Sequence, residues 1–402
     1  MEQVLSDIKV LDLTHYVAGP YCTRLLADYG AEVIKIEKPG EGDGARRMGP
    51  FLKDDPHPEK SGLFLHLNTN KKGVTLNLKT QAGVGIFKEL VKDADIVVEN
   101  FEPRVMSSLG LDYETLEKIN PRLVMTSISN FGQTGPYRDY KATELTIFAM
   151  GTLMITEGEP DREPLKFPGY KAQYLAGTYG AAVTMGALFG SKFAGIGQHV
   201  DISILECMLR SGEGSGRLIG YAFGQDEGKR VGHRREGAYL SGVYPCKDGY
   251  VSLLSGGLPY WPRVVAWMGM PELLNDPRFA DPKLRPLHHG DFDAIFIPWL
   301  MEQTVKEAFQ SGQKHGIIIV PDYTIDQAVK DPQLNARGFF TEIEHPVVGK
   351  ITHPGLPFTL PAVLAQPQRP APLLGQHNQE VLVGRLGYTV DDLTRLRRQG
   401  AI

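Results

Sequence analysis

The sequence predicts a doubly wound α/β fold, and two observations support this prediction. Short apolar strands alternate with helices through the first third of the chain, and the opening unit has a strand at 8–13, a helix at 20–29 and a strand at 31–37. A βαβ unit of roughly 30 residues opens a parallel sheet, because a helix must carry the chain back to the starting edge. Further strands are expected at 74–78, 96–99, 123–128 and 199–203, with a helix at 81–91.

Ligands of a doubly wound sheet bind beyond the carboxyl ends of its strands. Here those ends are at 15–19, 37–39, 99–101 and 129–132. A nicotinamide dinucleotide is disfavoured, because the turn after the first strand, HYVAGP, lacks the G-x-G-x-x-G pattern. The looser glycine run at 40–45 follows the second strand, and no helix plainly follows it. The sequence has no Walker A lysine motif, which disfavours a nucleoside triphosphatase.

Composition disfavours several other classes of protein. The chain has 402 residues and a formal charge of −4, which argues against nucleic acid as the main partner. Cys22, Cys207 and Cys246 form neither a disulfide framework nor a metal-ligand spacing, and His288 and His289 lack a third ligand at a suitable spacing, so no metal site is expected. No apolar run approaches the roughly 18 residues of a membrane span. We expect a soluble, cytoplasmic protein that contacts neither nucleic acid nor membrane.

The segment 166–190, KFPGYKAQYLAGTYGAAVTMGALFG, predicts a long helix after the break at Pro168 and Gly169. Small residues lie three or four positions apart on one face of this helix: Ala176, Gly177, Gly180, Ala181 and Thr184. Glycine costs about 1 kcal/mol against alanine inside a helix. The glycines therefore indicate that another backbone or a ligand comes very near this face.

The pattern changes in the second half of the chain. A long apolar helix is expected at 202–223, followed by a polar, charged segment that suits a linker. The segment 239–254 predicts a β-hairpin that turns at 247–249, and helices follow it. The predicted organisation is a large α/β domain at 1–223, a linker at 224–236, a smaller α+β domain at 237–315 and a return to the large domain at 316–402.

Six strings of the sequence occur in an order and spacing that resemble one known family. They are DLTHYVAGPYCTRLLADYGAEVIKIEKPGEGD, NTNKKGVTLNLKT, ADIVVENFEP, SISNFGQTGP, GIGQHVDISILE and APLLGQHNQEVL. Each alone is a weak signal, but together they resemble the family III CoA-transferases, the CaiB/BaiF group that also contains α-methylacyl-CoA racemases. The resemblance covers essentially the whole chain. It implies an interlocked dimer, with a Rossmann-like large domain built from N- and C-terminal segments and a smaller domain inserted between them.

The resemblance also implies that coenzyme A, as an acyl-CoA substrate, binds to the large domain. Val17 and Ala18 match positions whose backbone approaches the nucleotide, and Asn100 and Phe101 match an ENF motif along which the pantetheine arm passes. The remaining matches are Leu76 and Leu78 beside the adenine, with Lys79 after them, and Lys38 and Lys141 near the phosphates. Separated cations and backbone donors suit a ligand with several negative charges.

The family's nucleophile is an aspartate in the string A-D-Y-x-x-G, which here reads Ala172-Gln173-Tyr174-Leu175-Ala176-Gly177. In the family this aspartate attacks the acyl-CoA thioester and forms a mixed anhydride. A neutral amide cannot do so, so Gln173 marks a pseudo-active site. A racemase would need a histidine where this chain has Ala142, together with the aspartate, so both of its acid/base groups are absent.

Three hypotheses therefore remain open. The chain is the non-nucleophilic subunit of a hetero-oligomeric CoA-transferase, whose paralogous partner carries the aspartate; succinyl-CoA:benzylsuccinate CoA-transferase is a family member built from two different subunits. Alternatively, it is a homodimeric transferase or lyase with another nucleophile, such as Glu144 or Glu157. The third hypothesis is a catalytically inactive CoA-binding regulatory protein. The sequence does not identify the acceptor acid.

Overall fold

The computed structural model describes residues 3–224, 230, 232, 240–254, 260–357 and 369–402, so most of the predicted linker at 224–236 lies outside the described residues. The chain forms two compact units. The first comprises Met1–Leu153, Phe167–Ile219 and Gln333–Ile402, and the second comprises Met154–Lys166 and Gly220–Pro332. The second unit is thus larger than the small domain expected at 237–315.

The first unit is built on a six-stranded sheet in which every strand is parallel to its neighbours. Its strands are β1 (Lys9–Asp12), β2 (Glu32–Glu37), β3 (Lys72–Thr75), β4 (Ile96–Glu99), β5 (Val124–Ser129) and β6 (Gln198–Ser203). Their spatial order is β3-β2-β1-β4-β5-β6, which confirms the doubly wound α/β prediction. The order reverses between β1 and β4, and such a reversal opens a crevice for a ligand at the carboxyl ends of the strands.

Helices lie in the connections between these strands, and two more helices follow β6. They are α1 (Ala18–Asp28), α2 (Gly62–Leu67), α3 (Gln81–Val91), α4 (Val105–Ser108), α5 (Tyr113–Leu116), α6 (Glu144–Met150), α7 (Lys171–Ala194), α8 (Ile204–Arg210) and α9 (Gly212–Ala222). The single helix predicted at 202–223 is wrong, because Ser211 has an extended backbone (φ −58°, ψ 152°) that separates α8 from α9. Ser203 caps α8 by accepting a hydrogen bond from the backbone N–H of Glu206 at 3.3 Å.

Helix α7 packs closely on α1 through its small residues. A Cβ atom added at Gly177 would lie 2.6 Å from the carbonyl oxygen of Ala18, and one added at Gly180 would lie 3.2 Å from the sulfur of Cys22. The predicted close approach of another backbone is therefore confirmed, and that backbone belongs to α1. This contact fixes the start of α7 beside the loop that joins β1 to α1.

A later segment of the chain returns to the edge strand β3. The backbone N–H groups of Gly73 and Thr75 donate to the His377 ring at 3.0 Å and to the Asn378 carboxamide oxygen at 2.8 Å. Leu382 and Leu396 join the apolar core beneath the sheet. The elements of this segment are α14 (Pro332–Ala336), the antiparallel strands β10 (Phe340–His345) and β11 (Gly349–Pro354), a π-helix (Glu380–Arg385) and α15 (Val390–Arg398).

The second unit contains a three-stranded antiparallel sheet over an aromatic core. Its strands are β7 (Ser241–Cys246), β8 (Gly249–Leu254) and β9 (Ile319–Pro321), and its helices are α10 (Trp261–Met268), α11 (His289–Met301), α12 (Val305–Lys314) and α13 (Ile325–Val329). The predicted hairpin at 239–254 is confirmed by β7 and β8. Strand β9 pairs with β8, although the sequence pattern assigned it to the returning large domain. Across the described part of the chain, no helix combines the length and apolarity needed to span a bilayer.

Candidate active site

A cavity of about 500 Å³ lies where the sheet order reverses in the first unit. Residues from the loops after β1, β4 and β5, from 138–144 and from the start of α7 line it. Five of the residues predicted from sequence are among them: Val17, Asn100, Phe101, Lys141 and Gln173. Positions far apart in the sequence thus meet at one site.

Glu144, the alternative nucleophile, also lines the cavity, whereas the other predicted CoA-binding residues lie outside it. Ala18 is fully buried in the contact with α7. Lys38 and Leu76 follow the neighbouring strands β2 and β3, and the Leu76 N–H donates to the carbonyl of Glu37 at 2.9 Å. Leu76 is buried in the apolar core. This edge of the sheet is therefore apolar where Leu76 lies and charged where Lys38 lies.

Two cations flank one carboxylate at this edge. Lys38 and Lys79 are exposed, and Lys38 forms an ion pair with Glu41. The hydrogen bond from Lys38 lowers the pKa of Glu41, and Lys79 makes a smaller contribution. Leu78, which directly precedes Lys79, is partly buried and packs against the apolar core. Exposed ion pairs of this kind exchange partners readily, so both ammonium groups are accessible to an anion.

The loop after β1 is held from two sides. Asn100 forms a reciprocal pair with the backbone of His15: its carboxamide oxygen accepts the His15 N–H at 2.7 Å, and its amino group donates to the His15 carbonyl at 2.8 Å. The next residue, Tyr16, donates its N–H to Asp43 at 2.9 Å. The Asn100 side chain thus positions the loop that carries Val17 into the cavity.

A buried ionic network lies beneath this loop. Asp43 pairs with Lys35 at 2.9 Å, and the Lys35 ammonium also donates to the carbonyl of Thr14 at 2.8 Å. Asp12 pairs with Lys71 at 2.9 Å, and all four charged side chains are buried. Burial raises the pKa of Asp12, but Lys71 and Lys35 outweigh it and hold that pKa at about 2. Burial lowers the pKa of Lys71 to about 8, so the loop is supported by an Asp12 that stays ionised at neutral pH and by a Lys71 that begins to lose its proton just above neutral pH.

Glu144 occupies the N-terminus of α7. One of its carboxylate oxygens accepts the backbone N–H of Ala172 at 2.9 Å, and the other accepts that of Gln173 at 3.2 Å. The first N–H groups of a helix have no partner within the helix, and they carry the positive end of its dipole. Glu144 supplies both a hydrogen-bond acceptor and a negative charge at that point, which fixes it beside Gln173.

The other carboxylates of the cavity are paired with cations. Glu102 forms an ion pair with Lys141, and Asp139 pairs with Arg104 at 2.7 Å and with Arg138 at 2.8 Å. Among the residues that the structure describes, Glu144 is the cavity carboxylate that has only backbone N–H partners. Lys141 and Glu102 are both largely exposed, so their pair can open toward a ligand.

Glu99 is buried directly behind the cavity wall. It accepts the backbone N–H of Phe101 at 2.8 Å. Burial raises the pKa of its carboxyl to about 7, although a hydrogen bond from Ser127 and the Phe101 N–H oppose that shift. The charge of Glu99 at the end of β4 therefore changes near neutral pH, because its carboxyl gains or loses a proton there.

The comparisons with known proteins agree with this architecture. The family model described as CoA-transferase family III matches residues 5–378. The chain belongs to this family. It is 34% identical over 399 residues to the succinyl-CoA–D-citramalate CoA-transferase of Chloroflexus aurantiacus, with 99% of this chain and 98% of the relative covered. It is 32% identical over 414 residues to subunit BbsE of the succinyl-CoA:(R)-benzylsuccinate CoA-transferase of Thauera aromatica, with 100% and 99% covered.

The fold of this family III CoA-transferase chain is also similar to that of a solved structure. The crystal structure of a CaiB/BaiF family protein from Brucella suis has 29% sequence identity and a TM-score of 0.86, with 96% of this chain and 100% of that chain covered. The resemblance predicted from the six strings is confirmed. CoA-transferases use CoA thioesters as substrates. Within the described ranges, no group of three or more His, Cys, Asp and Glu side chains is placed to hold a metal ion.

Some residues that shape the site were predicted only as parts of strand-end segments, or not at all. Tyr16 and Asn130 lie in the predicted segments 15–19 and 129–132 but had no assigned role, and Asp43, which supports the loop, was not predicted. Lys35 offered a usable signal, because a lysine in the middle of an otherwise apolar, buried strand requires a buried partner. Tyr16 offered no such signal, because its backbone conformation depends on contacts with distant segments.

Proposed function

We propose that this chain is the non-nucleophilic subunit of a hetero-oligomeric CoA-transferase that moves CoA between an acyl-CoA, such as succinyl-CoA, and a carboxylic acid. The observation that carries the proposal is Gln173, a neutral amide in the cavity at the position that matches the family nucleophile. The carboxylate beside it, Glu144, is engaged by two backbone N–H groups. A covalent intermediate on this chain would need a free carboxylate.

The partner would carry out the covalent chemistry. Its aspartate attacks the thioester carbonyl of the acyl-CoA, the C–S bond breaks, and the CoA thiolate leaves a mixed anhydride. The thiolate then attacks the aspartyl carbonyl, releases the donor acid and leaves an aspartyl thioester. The acceptor acid takes CoA by the same two steps in reverse. This chain contributes binding and shape, and the interlocked arrangement expected from the resemblance would let it contact its partner's site.

We infer that CoA lies along the carboxyl edge of the sheet. The exposed ammonium groups of Lys38 and Lys79 suit the nucleotide phosphates, and Leu76 and Leu78 suit the adenine face. The backbone at Val17 and Ala18 would approach the nucleotide. Asn100 and Phe101 would guide the pantetheine arm into the cavity, and Lys141 would exchange Glu102 for a phosphate.

The comparison with Thauera aromatica supports a hetero-oligomer. This relative, which covers the whole of this chain, carries a name that marks it as one subunit of a succinyl-CoA:(R)-benzylsuccinate CoA-transferase. A family member with the same organisation would need a paralogue of similar length with an aspartate in the string A-D-Y-x-x-G. We propose such a paralogue as the partner.

A homodimeric transferase with Glu144 as nucleophile is the second candidate. One observation favours it: within the described residues Glu144 lines the cavity and pairs with no cation. Both of its oxygens, however, accept hydrogen bonds that stabilise the carboxylate and weaken it as a nucleophile. Glu157 belongs to the second unit and is not among the described residues that line this cavity.

The decisive experiment is a CoA-transfer assay on this chain, on the paralogue and on the two co-expressed. We expect transfer from the pair, none from this chain alone, and loss of transfer when the partner's aspartate is replaced by asparagine. Transfer by this chain alone that disappears in Glu144→Gln would establish the second candidate. CoA binding without transfer in any combination would indicate a regulatory CoA-binding protein.

A further inference from the structure

Tyr16 has a backbone conformation that side chains of L-residues rarely adopt. Its φ of 65° lies in the left-handed region, where the Cβ atom crowds the following carbonyl. A bulky residue there is uncommon and raises the free energy of the folded state. Such residues persist only where surrounding contacts determine the conformation, and they cluster at functional sites. The position of Tyr16, at the carboxyl end of β1, is a functional one in this fold.

Three contacts hold Tyr16 in this conformation. Its N–H donates to the buried carboxylate of Asp43 at 2.9 Å. The preceding residue, His15, is fixed through its backbone by Asn100. The tyrosine ring lies directly on Gly44, where an added Cβ would come within 2.3 Å of Cε1 and 2.4 Å of Cζ. The direction of the ring is therefore set by the backbone on one side and by Gly44 on the other.

The ring that is fixed in this way faces the cavity. Tyr16 is 53% exposed and lines the same cavity as Gln173 and Lys141. Within the described residues, its hydroxyl has no hydrogen-bond partner. A rigid phenol in a cavity offers an apolar face and one directed O–H donor, a combination that recognises ligands with both methylene groups and oxygens.

We propose that Tyr16 recognises the acyl group of a bound acyl-CoA in this cavity, by donating a hydrogen bond from its hydroxyl to an oxygen of that group. The proposal rests on the proposed function, because it takes the cavity to be the acyl-CoA site. The acyl oxygen is either the thioester carbonyl or a distal carboxylate, and both accept from a phenol. Free CoA has neither oxygen, so its binding does not involve this contact.

The test is the dissociation constant of succinyl-CoA, butyryl-CoA and CoA, measured by titration calorimetry on the purified complex. We expect Tyr16→Phe to weaken succinyl-CoA about three- to tenfold, the usual loss for one neutral hydrogen bond, and to leave CoA unchanged. If butyryl-CoA loses affinity to the same extent, the hydrogen bond is made to the thioester carbonyl. If butyryl-CoA keeps its affinity, the bond is made to the distal carboxylate of the succinyl group. Both outcomes support the proposal. Tyr250→Phe, an exposed tyrosine of the second unit, is the matched control.

A second variant tests the position of the ring. Gly44→Ala places a Cβ where the ring now lies and must displace it, so we expect the same selective loss of succinyl-CoA with the hydroxyl still present. If Tyr16→Phe left the affinity for succinyl-CoA unchanged, or reduced the affinity for CoA equally, the proposed role of Tyr16 would be wrong. The proposed function would not be affected. Failure of the unmodified complex to bind CoA at all would overturn the proposed function, and this inference with it.

Discussion

The carboxylate of Glu144 accepts the backbone N–H of Gln173 at 3.2 Å, so an acidic side chain stands beside the residue that we propose to match the family nucleophile. The contact does two things at once. It closes the N-terminus of α7 with a negative charge, and it gives any carboxylate at position 173 an acidic neighbour. Two carboxylates at one site hinder each other's ionisation.

Gln173→Asp is therefore expected to restore only part of the missing chemistry. The new carboxylate stands in the proposed nucleophile position, but the charge of Glu144 beside it opposes its ionisation. We expect an acyl-enzyme that hydroxylamine traps after incubation with succinyl-CoA, together with transfer well below that of the two-chain complex. Intact-protein mass spectrometry detects the trapped adduct. Gln173→Asn is the control, and an adduct in that variant or in the native chain would contradict the assignment.

Glu144→Gln is expected to reduce the free energy of unfolding by about 1–2 kcal/mol. Glutamine has one acceptor oxygen, so one N–H of the α7 start loses its partner and the helix end loses its counter-charge. Urea denaturation of the two proteins measures the difference. Glu102→Gln is the matched control, because its ion pair with Lys141 is exposed and its loss should change stability by less than about 1 kcal/mol. Equal effects of the two substitutions would show that Glu144 does not cap α7.

Glu99 should make stability fall as pH rises from about 4.5 to about 7. Its pKa is raised from an ordinary value of 4.5 to about 7, so across this window the folded protein holds a proton that the unfolded chain has released. Stability therefore falls with pH, by up to about 3 kcal/mol at the upper end. The glutamine of Glu99→Gln cannot ionise. We therefore expect the free energy of unfolding of this variant, relative to that of the native protein, to increase through this pH window.

The measurement is the free energy of unfolding of both proteins at several pH values from 4.5 to 8. Glu117→Gln, which removes the same charge from an exposed position, serves as control and should show no such trend. A constant difference between Glu99→Gln and the native protein would show that Glu99 has the same pKa in the folded and unfolded chain. The prediction would then be wrong.

Tyr16→Asn should be more stable than Tyr16→Ala by about 1 kcal/mol. Both substitutions remove the ring, but asparagine adopts the left-handed conformation at φ 65° more readily than alanine. Thermal and urea denaturation measure the pair. If Tyr16→Ala equals or exceeds Tyr16→Asn in stability, the backbone at this position is not the source of strain.

Gly177→Ala and Gly190→Ala should have opposite effects although both lie in α7. An added Cβ at position 177 would lie 2.6 Å from the Ala18 carbonyl oxygen, whereas one at 190 meets nothing within 4 Å. We expect Gly177→Ala to destabilise the protein by about 1–3 kcal/mol through overpacking. Gly190→Ala should stabilise it by about 0.5–1 kcal/mol through helix propensity. A neutral Gly177→Ala would show that α1 and α7 can separate without cost.

The sequence predicted the fold and part of the site for identifiable reasons. Strand and helix patterns repeat locally, so β1, β2, β4 and β5 fall close to their predicted positions. Gln173 was recognised because it departs from a short string. The ion pairs of Lys35 and Lys71 could not be predicted, because they join segments that are distant in sequence and depend on the packing of the sheet. The break at Ser211 was missed although Ser211-Gly212 is a dipeptide that favours turns, because the flanking residues were interpreted as one continuous helix.

The return of a late segment to β3 has a consequence for synthesis on the ribosome. The N–H of Gly73 has its hydrogen-bond partner at His377, 304 positions later. A nascent chain therefore exports β3 long before the residues that complete this edge of the sheet exist. The cavity between β1 and β4 can form early, whereas the edge beside Lys38 and Lys79 forms only near the end of translation. The sheet edge that carries Lys38 and Lys79 is thus complete only in chains whose synthesis is almost finished.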